Sequence, residues 1–292
     1  MKQPSPVFGS LIVAIGALSL AGNNVFAVVS FEAGASPLAV ITGRMIITLI
    51  ALFLFMRSCG RQIALPSHDR KFALGLGVLN GLMAYCLLSA FDEIQVGLAI
   101  LVFYFYPLLT GLYAWITGQE QLTRGLLLGL IGGFAGLVIA LKVTADISNL
   151  FGLLFAAAAS LLMATNALLS SHILTPQNSM SVTLHMHIAS ALIFVIAFII
   201  VGDADFPQNM WGWVSYFSVP IFYMIGVTAF FYGISCIGAV RASVIMNLEP
   251  IGSIALGFIV LGQILSPSQL IGATCVIVSL IGIKTLDGDS KV

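Results

Sequence analysis

Charge is scarce in this sequence. Of 292 residues only 11 are Lys or Arg and 11 are Asp or Glu, 8% in all, against roughly 25% in an ordinary soluble domain. The signs cancel to a formal net charge of zero, which gives no argument for a nucleic-acid partner. Cysteine is scarce too. Cys59, Cys86, Cys236 and Cys275 are far apart in sequence, three of them lie in apolar runs, and no disulfide or zinc spacing results. They read as small buried hydrophobes. A Walker A stretch is missing, so ATP does not drive the protein directly.

What fills the sequence instead is apolar surface, 60% of the residues. A bilayer core about 30 Å thick needs about 20 apolar helical residues. Segments 8–29, 37–56, 72–91, 95–117, 125–141, 151–171, 180–201, 213–235, 239–261 and 268–286 meet that pattern. The fold class is therefore an all-α membrane protein with ten transmembrane helices and a frayed "DGDSKV" tail. Residues 7–29, with Lys2 ahead and Ala33-Gly34-Ala35 behind, also suggest a signal peptide, but the run exceeds an h-region of about 7–15 residues and reads as a span. With the N-terminus inside, Lys2, Arg57, Arg61, Arg70, Lys71, Arg124, Arg241, Lys284 and Lys291 face inward and Lys142 alone faces outward. That asymmetry puts both termini in the cytoplasm, with the protein in a bacterial inner membrane.

The chain repeats itself. "FYFYPLLTGLYAWITGQ" (103–119) resembles "MNLEPIGSIALGFIVLGQ" (246–263), and Pro107 pairs with Pro250 at an offset of 143 (250 − 107). The same offset pairs Phe8-Gly9 with Phe151-Gly152, Asn23 with Asn166, Ala99 with Ala242 and Gly129 with Gly272. Two five-span units follow, 1–146 and 147–292. Five is odd, so the second unit enters the membrane from the opposite side. Inverted repeats of this kind are a common plan of secondary transporters.

"LAGNNVF", "LAVITGRMIITLIAL" and "ASVIMNLEPIGSIALGFIVLGQILSPSQLIGA" resemble the EamA-type family of the drug/metabolite transporter superfamily, over nearly the whole chain. The resemblance implies ten helices in two inverted five-helix repeats that move small metabolites; amino-acid exporters are among its members. Two places differ. The family usually has Gly-Glu after spans four and nine, where this chain has Gly118-Gln119-Glu120 and Gly262-Gln263. Tyr106 stands where the first repeat often has Glu before Pro, so a mechanism of paired carboxylates lacks its first member.

The interior polar residues point to the site. Rising 1.5 Å per residue, Glu249 lies about 12 Å beyond Arg241, close to the midplane. Pro250 should leave the Met246 carbonyl without a donor, and Pro107 the Phe103 carbonyl; such bends belong beside protein or a water-filled cavity. Glu249 reads as a ligand for a substrate amine, as a proton site for coupling, or as a carboxylate that holds the bend. Tyr85 and Ser89, four apart, pair by the offset with Thr228 and Tyr232, also four apart. With Tyr106 these either line the cavity or tie helices together. Tyr104 and Asn247 should face a neighbouring helix or another part of the cavity. Asn23 and Asn166 either touch substrate or clamp helices. Arg44 could snorkel, pair with Glu32 or Asp92, or attract an anion; its mate is His187. His185 and His187 point about 200° apart and cannot share a metal ion, though a proton relay through either stays open. "GLGVLNG" (75–81) resembles a dinucleotide loop, but no strand precedes it and it opens a membrane helix. Gly129/Gly133 and Gly132/Gly136 form close-packing faces, and Gln119 and Glu120 should be solvated.

The expected function is a secondary transporter of amino acids, zwitterionic or cationic, working as an exporter by alternating access. It needs no cofactor; its partners are a small-molecule substrate and the bilayer. The alternatives are import of a nucleoside, vitamin or drug, and a non-transport membrane protein, either structural or an intramembrane enzyme. The enzyme would need clustered ligands, or a nucleophile with a base, and neither pattern is present.

Overall fold

Two Ser-Pro pairs start the first two helices. Ser5 Oγ accepts the Phe8 amide (3.2 Å) and Ser36 Oγ accepts the Ala39 amide (3.3 Å), while Pro6 and Pro37 occupy first-turn positions whose N–H would be unpaired in any case. The computed structural model describes residues 5–121, 123–141, 149–202 and 205–288, with side chains through 282. Lys2, Lys142, Lys291, the Lys284 side chain and the tail after Gly288 lie outside them.

The elements are α1 (Pro6–Glu32), α2 (Pro37–Ser58), α3 (Ser67–Glu93), α4 (Val96–Phe103), α5 (Tyr106–Ile116), α6 (Arg124–Leu141), α7 (Leu150–Ser171), α8 (Ser179–Val201), α9 (Met210–Ile237), α10 (Ala239–Ile245), α11 (Leu248–Leu261) and α12 (Pro267–Gly288). Among the described residues there is no strand. Helices satisfy every backbone group within the segment, as hydrocarbon demands. Among the described residues nine units are long and apolar enough to cross a membrane, with α4–α5 counted as one and α10–α11 as another. The expected tenth span, 268–286, coincides with α12, whose side chains are described over the apolar stretch Pro267–Gly282. The run at 7–29 is part of α1, which packs along α9 and α11. Large apolar side chains such as Leu11, Phe53, Leu128 and Ile199 stand on the exterior, where lipid takes the place of a protein neighbour.

The two halves pack crosswise. Besides α1 on α9, α3 lies against α7 and α8, and α6 against α12. The α6–α12 seam depends on glycine: a Cβ on Gly136 would lie 2.8 Å from the Gly272 carbonyl oxygen and 2.9 Å from the Val276 amide. Side chains lock other crossings to backbone carbonyls. Asn166 donates to Leu76 O (2.8 Å), Ser190 to Gly77 O (2.7 Å) and Thr48 to Pro220 O (3.1 Å).

The breaks fall within one residue of the 143 register, at Tyr104–Phe105 and at Met246–Asn247. Each proline stands in the first turn of the piece that follows, where its missing N–H is least costly. The expectation of a free Met246 carbonyl does not hold. The chain restarts tightly after the break, and the Glu249 amide donates to Met246 O at 2.9 Å.

Glu120 also departs from expectation. It is half-buried rather than solvated, and its Oε1 accepts the Val240 amide (3.4 Å) at the start of α10. It lines a cleft of about 590 Å³ with His172 and Arg241. Burial raises its carboxyl above the ordinary value, partly offset by backbone donors Val240 and Ala239 and by the Arg241 charge.

Candidate functional site

Glu249 is in the first turn of α11, where the helix dipole favours a carboxylate. Its Oε1 accepts Asn24 Nδ2 at 2.9 Å, and the Tyr104 hydroxyl donates to the same carboxylate. The two helix breaks therefore meet through one hydrogen bond, Tyr104 at the α4–α5 break to Glu249 just after the α10–α11 break. Tyr104 and Tyr106 are buried with ring centroids 5.9 Å apart, and Phe103 lies within 5.5 Å of both. Asn24 is exposed and Glu249 only half-buried, so the carboxylate is reached from outside the packed core.

A chain of amides leads away from Glu249. Asn24 Oδ1 accepts Asn23 Nδ2 (2.9 Å), and Asn23 Oδ1 accepts Arg44 Nη1 (3.4 Å). The Arg44 guanidinium lies 4.2 Å from the Tyr223 ring centroid, a cation–π arrangement. His187 meets the same ring edge-on at 5.6 Å, and Asn80 hydrogen-bonds the Tyr223 side chain. Arg44 and Glu249 thus stand at opposite ends of a polar row, and among the described residues no direct ion pair joins them. Arg44 pairs with neither Glu32 nor Asp92.

The structure brings together Glu249, Asn23, Tyr106 and, beside them, Pro107 and Pro250. It leaves other expected site residues elsewhere. Asn166 is committed to the Leu76 carbonyl, a clamp between α7 and α3. Tyr85 is 57% exposed on the same helix face as exposed Val78 and Leu82, with half-buried Ser89 one turn on; neither reaches the Glu249 group. Thr228 is half-buried with its hydroxyl unpartnered. Tyr232 lines a surface recess with Met56, Arg61 and Gln62. Asn247 is buried towards α6, its amide next to Gly133. His185 and His187 each turn Nδ1 to a carbonyl one turn back, Ser181 and Thr183, both at 2.8 Å.

Sequence reasoning missed Tyr104, Asn24, Tyr223 and Asn80. One signal was available: the 143 offset already pairs Asn80 with Tyr223 and Arg44 with His187 (223 − 80, 187 − 44), and all four converge at one point.

Comparison with known proteins agrees with this architecture. An uncharacterized transporter of Archaeoglobus fulgidus is 24% identical over 278 residues, covering 94% of this chain and 95% of that one. A protein crystal structure 19% identical superposes with a TM-score of 0.80 over 95% of this chain and 98% of the other, a likeness of fold alone. The EamA-like transporter family matches twice, over residues 7–142 and again over 150–285. With nearly its whole length matched, the chain belongs to the EamA-like transporter family.

Proposed function

We propose that this transporter carries amino acids, exporting them by alternating access about the Glu249 group. The observation that carries the reading is the carboxylate itself: half-accessible, at the junction of two broken helices, held by Tyr104 and Asn24 and walled by the aromatic rings of Phe103, Tyr104 and Tyr106. An ammonium group is the natural partner of such a carboxylate, and the rings tolerate apolar side chains.

The transport cycle in this proposal rests on ten spans in two inverted five-helix units. Three features support it. The two family matches are displaced by 143 at both ends (150 − 7 and 285 − 142), the offset found within the sequence. Both halves contain one broken helix. The α1–α9 packing has its counterpart in α7 against α3, the pairing a two-fold relation requires. Both termini are cytoplasmic in this scheme, and the membrane is the bacterial inner membrane.

Counterflow of labelled amino acids in proteoliposomes tests the reading. Saturable exchange of at least one amino acid is expected. Absence of exchange for all twenty, with the protein correctly inserted, would reject it.

A further inference from the structure

Arg44 is the half-buried charge that the Glu249 reading leaves unused. A guanidinium offers five N–H donors. Here one makes a long hydrogen bond, 3.4 Å to Asn23, and Nε is buried with no partner. Tyr223 covers the face of the cation but takes none of its in-plane hydrogen bonds. A charge left in this condition is costly unless an anion completes it, and a carboxylate matches the fork of donors best.

The nearest anion within the protein is kept away. Every amide in the row donates towards Glu249 and accepts from the Arg44 side: Arg44 to Asn23, Asn23 to Asn24, Asn24 to Glu249. The two asparagines thus link a cationic pole to an anionic pole and hold the two apart. Asn24, the outermost of them, is exposed, so moving it off Glu249 disturbs little packing.

We propose that the site takes a zwitterion lying along this row, with Arg44 binding its carboxylate and Glu249 its ammonium, so that Arg44 selects amino acids over amines. The inference rests on the transport reading above and narrows it, since Glu249 alone would accept a simple amine equally well. A molecule bearing one charge satisfies one pole and leaves the other as costly as before.

The test uses the purified full-length protein. Counterflow of the twenty labelled amino acids first identifies the one transported best. Its decarboxylated amine and its deaminated acid are then used as competitors, and all three are measured by thermal stabilisation of the protein in detergent. In the wild type the amino acid should bind at least about tenfold more tightly than either half-molecule, the scale of one charge-assisted contact. In Arg44→Gln that advantage over the amine should vanish, with the amine still bound. Arg44→Lys keeps the charge without the fork and should lose several-fold for the amino acid and nothing for the amine. Equal loss for amino acid and amine in either variant, or a wild type that does not discriminate, overturns the assignment of Arg44. If Arg44→Gln does not fold, the Lys variant alone decides by the same comparison. A wild type that exchanges no amino acid rejects the transport reading itself, before any variant is made.

Discussion

Asn80 and Tyr223 are hydrogen-bonded to each other and stand 143 positions apart (223 − 80). In a chain built from two units related by a half-turn, a residue touches its own counterpart only near the axis. Arg44 and His187, another pair at that offset, sit against the same Tyr223 ring. The Arg44 pole therefore lies close to where the axis would pass, while Glu249 occupies one half only, facing Tyr106 as its counterpart. In the proposed two-unit scheme, matching scaffolds with unlike polar side chains would give a site that is central yet chemically one-sided.

The carboxylate should be required for transport and dispensable for folding. Glu249→Gln keeps an oxygen to accept from Asn24 and Tyr104, so the junction of the broken helices survives. Transport should fall at least about tenfold, because a hydrogen bond to a charged group contributes about 1.5–3 kcal/mol. Counterflow rates normalised to inserted protein measure this. Normal transport in the variant would remove Glu249 from the mechanism, and failure to accumulate would make it a structural residue.

Tyr104 and Tyr85 offer a contrast between the site and the exterior. Tyr104→Phe deletes a donor to Glu249 and should slow transport several-fold, with the ring and its packing retained. Tyr85→Phe, on the exposed face with Val78 and Leu82, should leave the rate within experimental error. A slow Tyr85→Phe protein beside a normal Tyr104→Phe one would mean that the active cavity lies on the other face of α3.

These two tyrosines mark how far the sequence can be read. Hydropathy located the helices, and Pro107 and Pro250 located the breaks, because chain geometry is local. Glu249 stood out because a carboxylate in a long apolar run is rare. The angular position of Tyr104 did not follow. Counting 100° per residue assumes a continuous helix, and the break at Tyr104–Phe105 resets the register. Spacing alone singled out the Tyr85–Ser89 face of α3, and the Asn80 face is set apart only by its neighbours α7 and α8. Glu120 reads as a loop residue because its partner, the start of α10, is 120 positions away.

The glycine seam between α6 and α12 should be sensitive to a single methyl group. Gly136→Ala meets a carbonyl oxygen at 2.8 Å and an amide nitrogen at 2.9 Å. Both are backbone atoms of a facing helix, so relief requires the helices to separate. A cost of about 1–3 kcal/mol follows from overpacking of this kind. It should appear as a lower melting temperature in detergent, with little change in the substrate concentration that half-saturates transport, since Gly136 meets Gly272 and Val276 of α12 and no residue of the Glu249 row. An unchanged melting temperature would show that the seam is looser than its geometry implies.

Glu120 ties the stability of the fold to pH. Burial raises its carboxyl above the ordinary value of 4.5, despite the amides of Val240 and Ala239 and the charge of Arg241. Just above pH 4.5 the unfolded chain has released this proton while the folded protein still holds it, so the folded state binds more protons. Stability from this group is then fully present below that pH and is lost as pH rises through the folded value. Glu120→Gln removes the titration and keeps an oxygen for the Val240 amide. The melting temperature of wild type relative to this variant should therefore fall between pH 4.5 and neutrality. Titration of His172 across the same cleft, and of every group shared by the two proteins, largely cancels in that difference. The opposite trend, wild type gaining on the variant as pH rises, would mean that the α10 amides and Arg241 outweigh burial and that Glu120 docks as a favourable ionised cap.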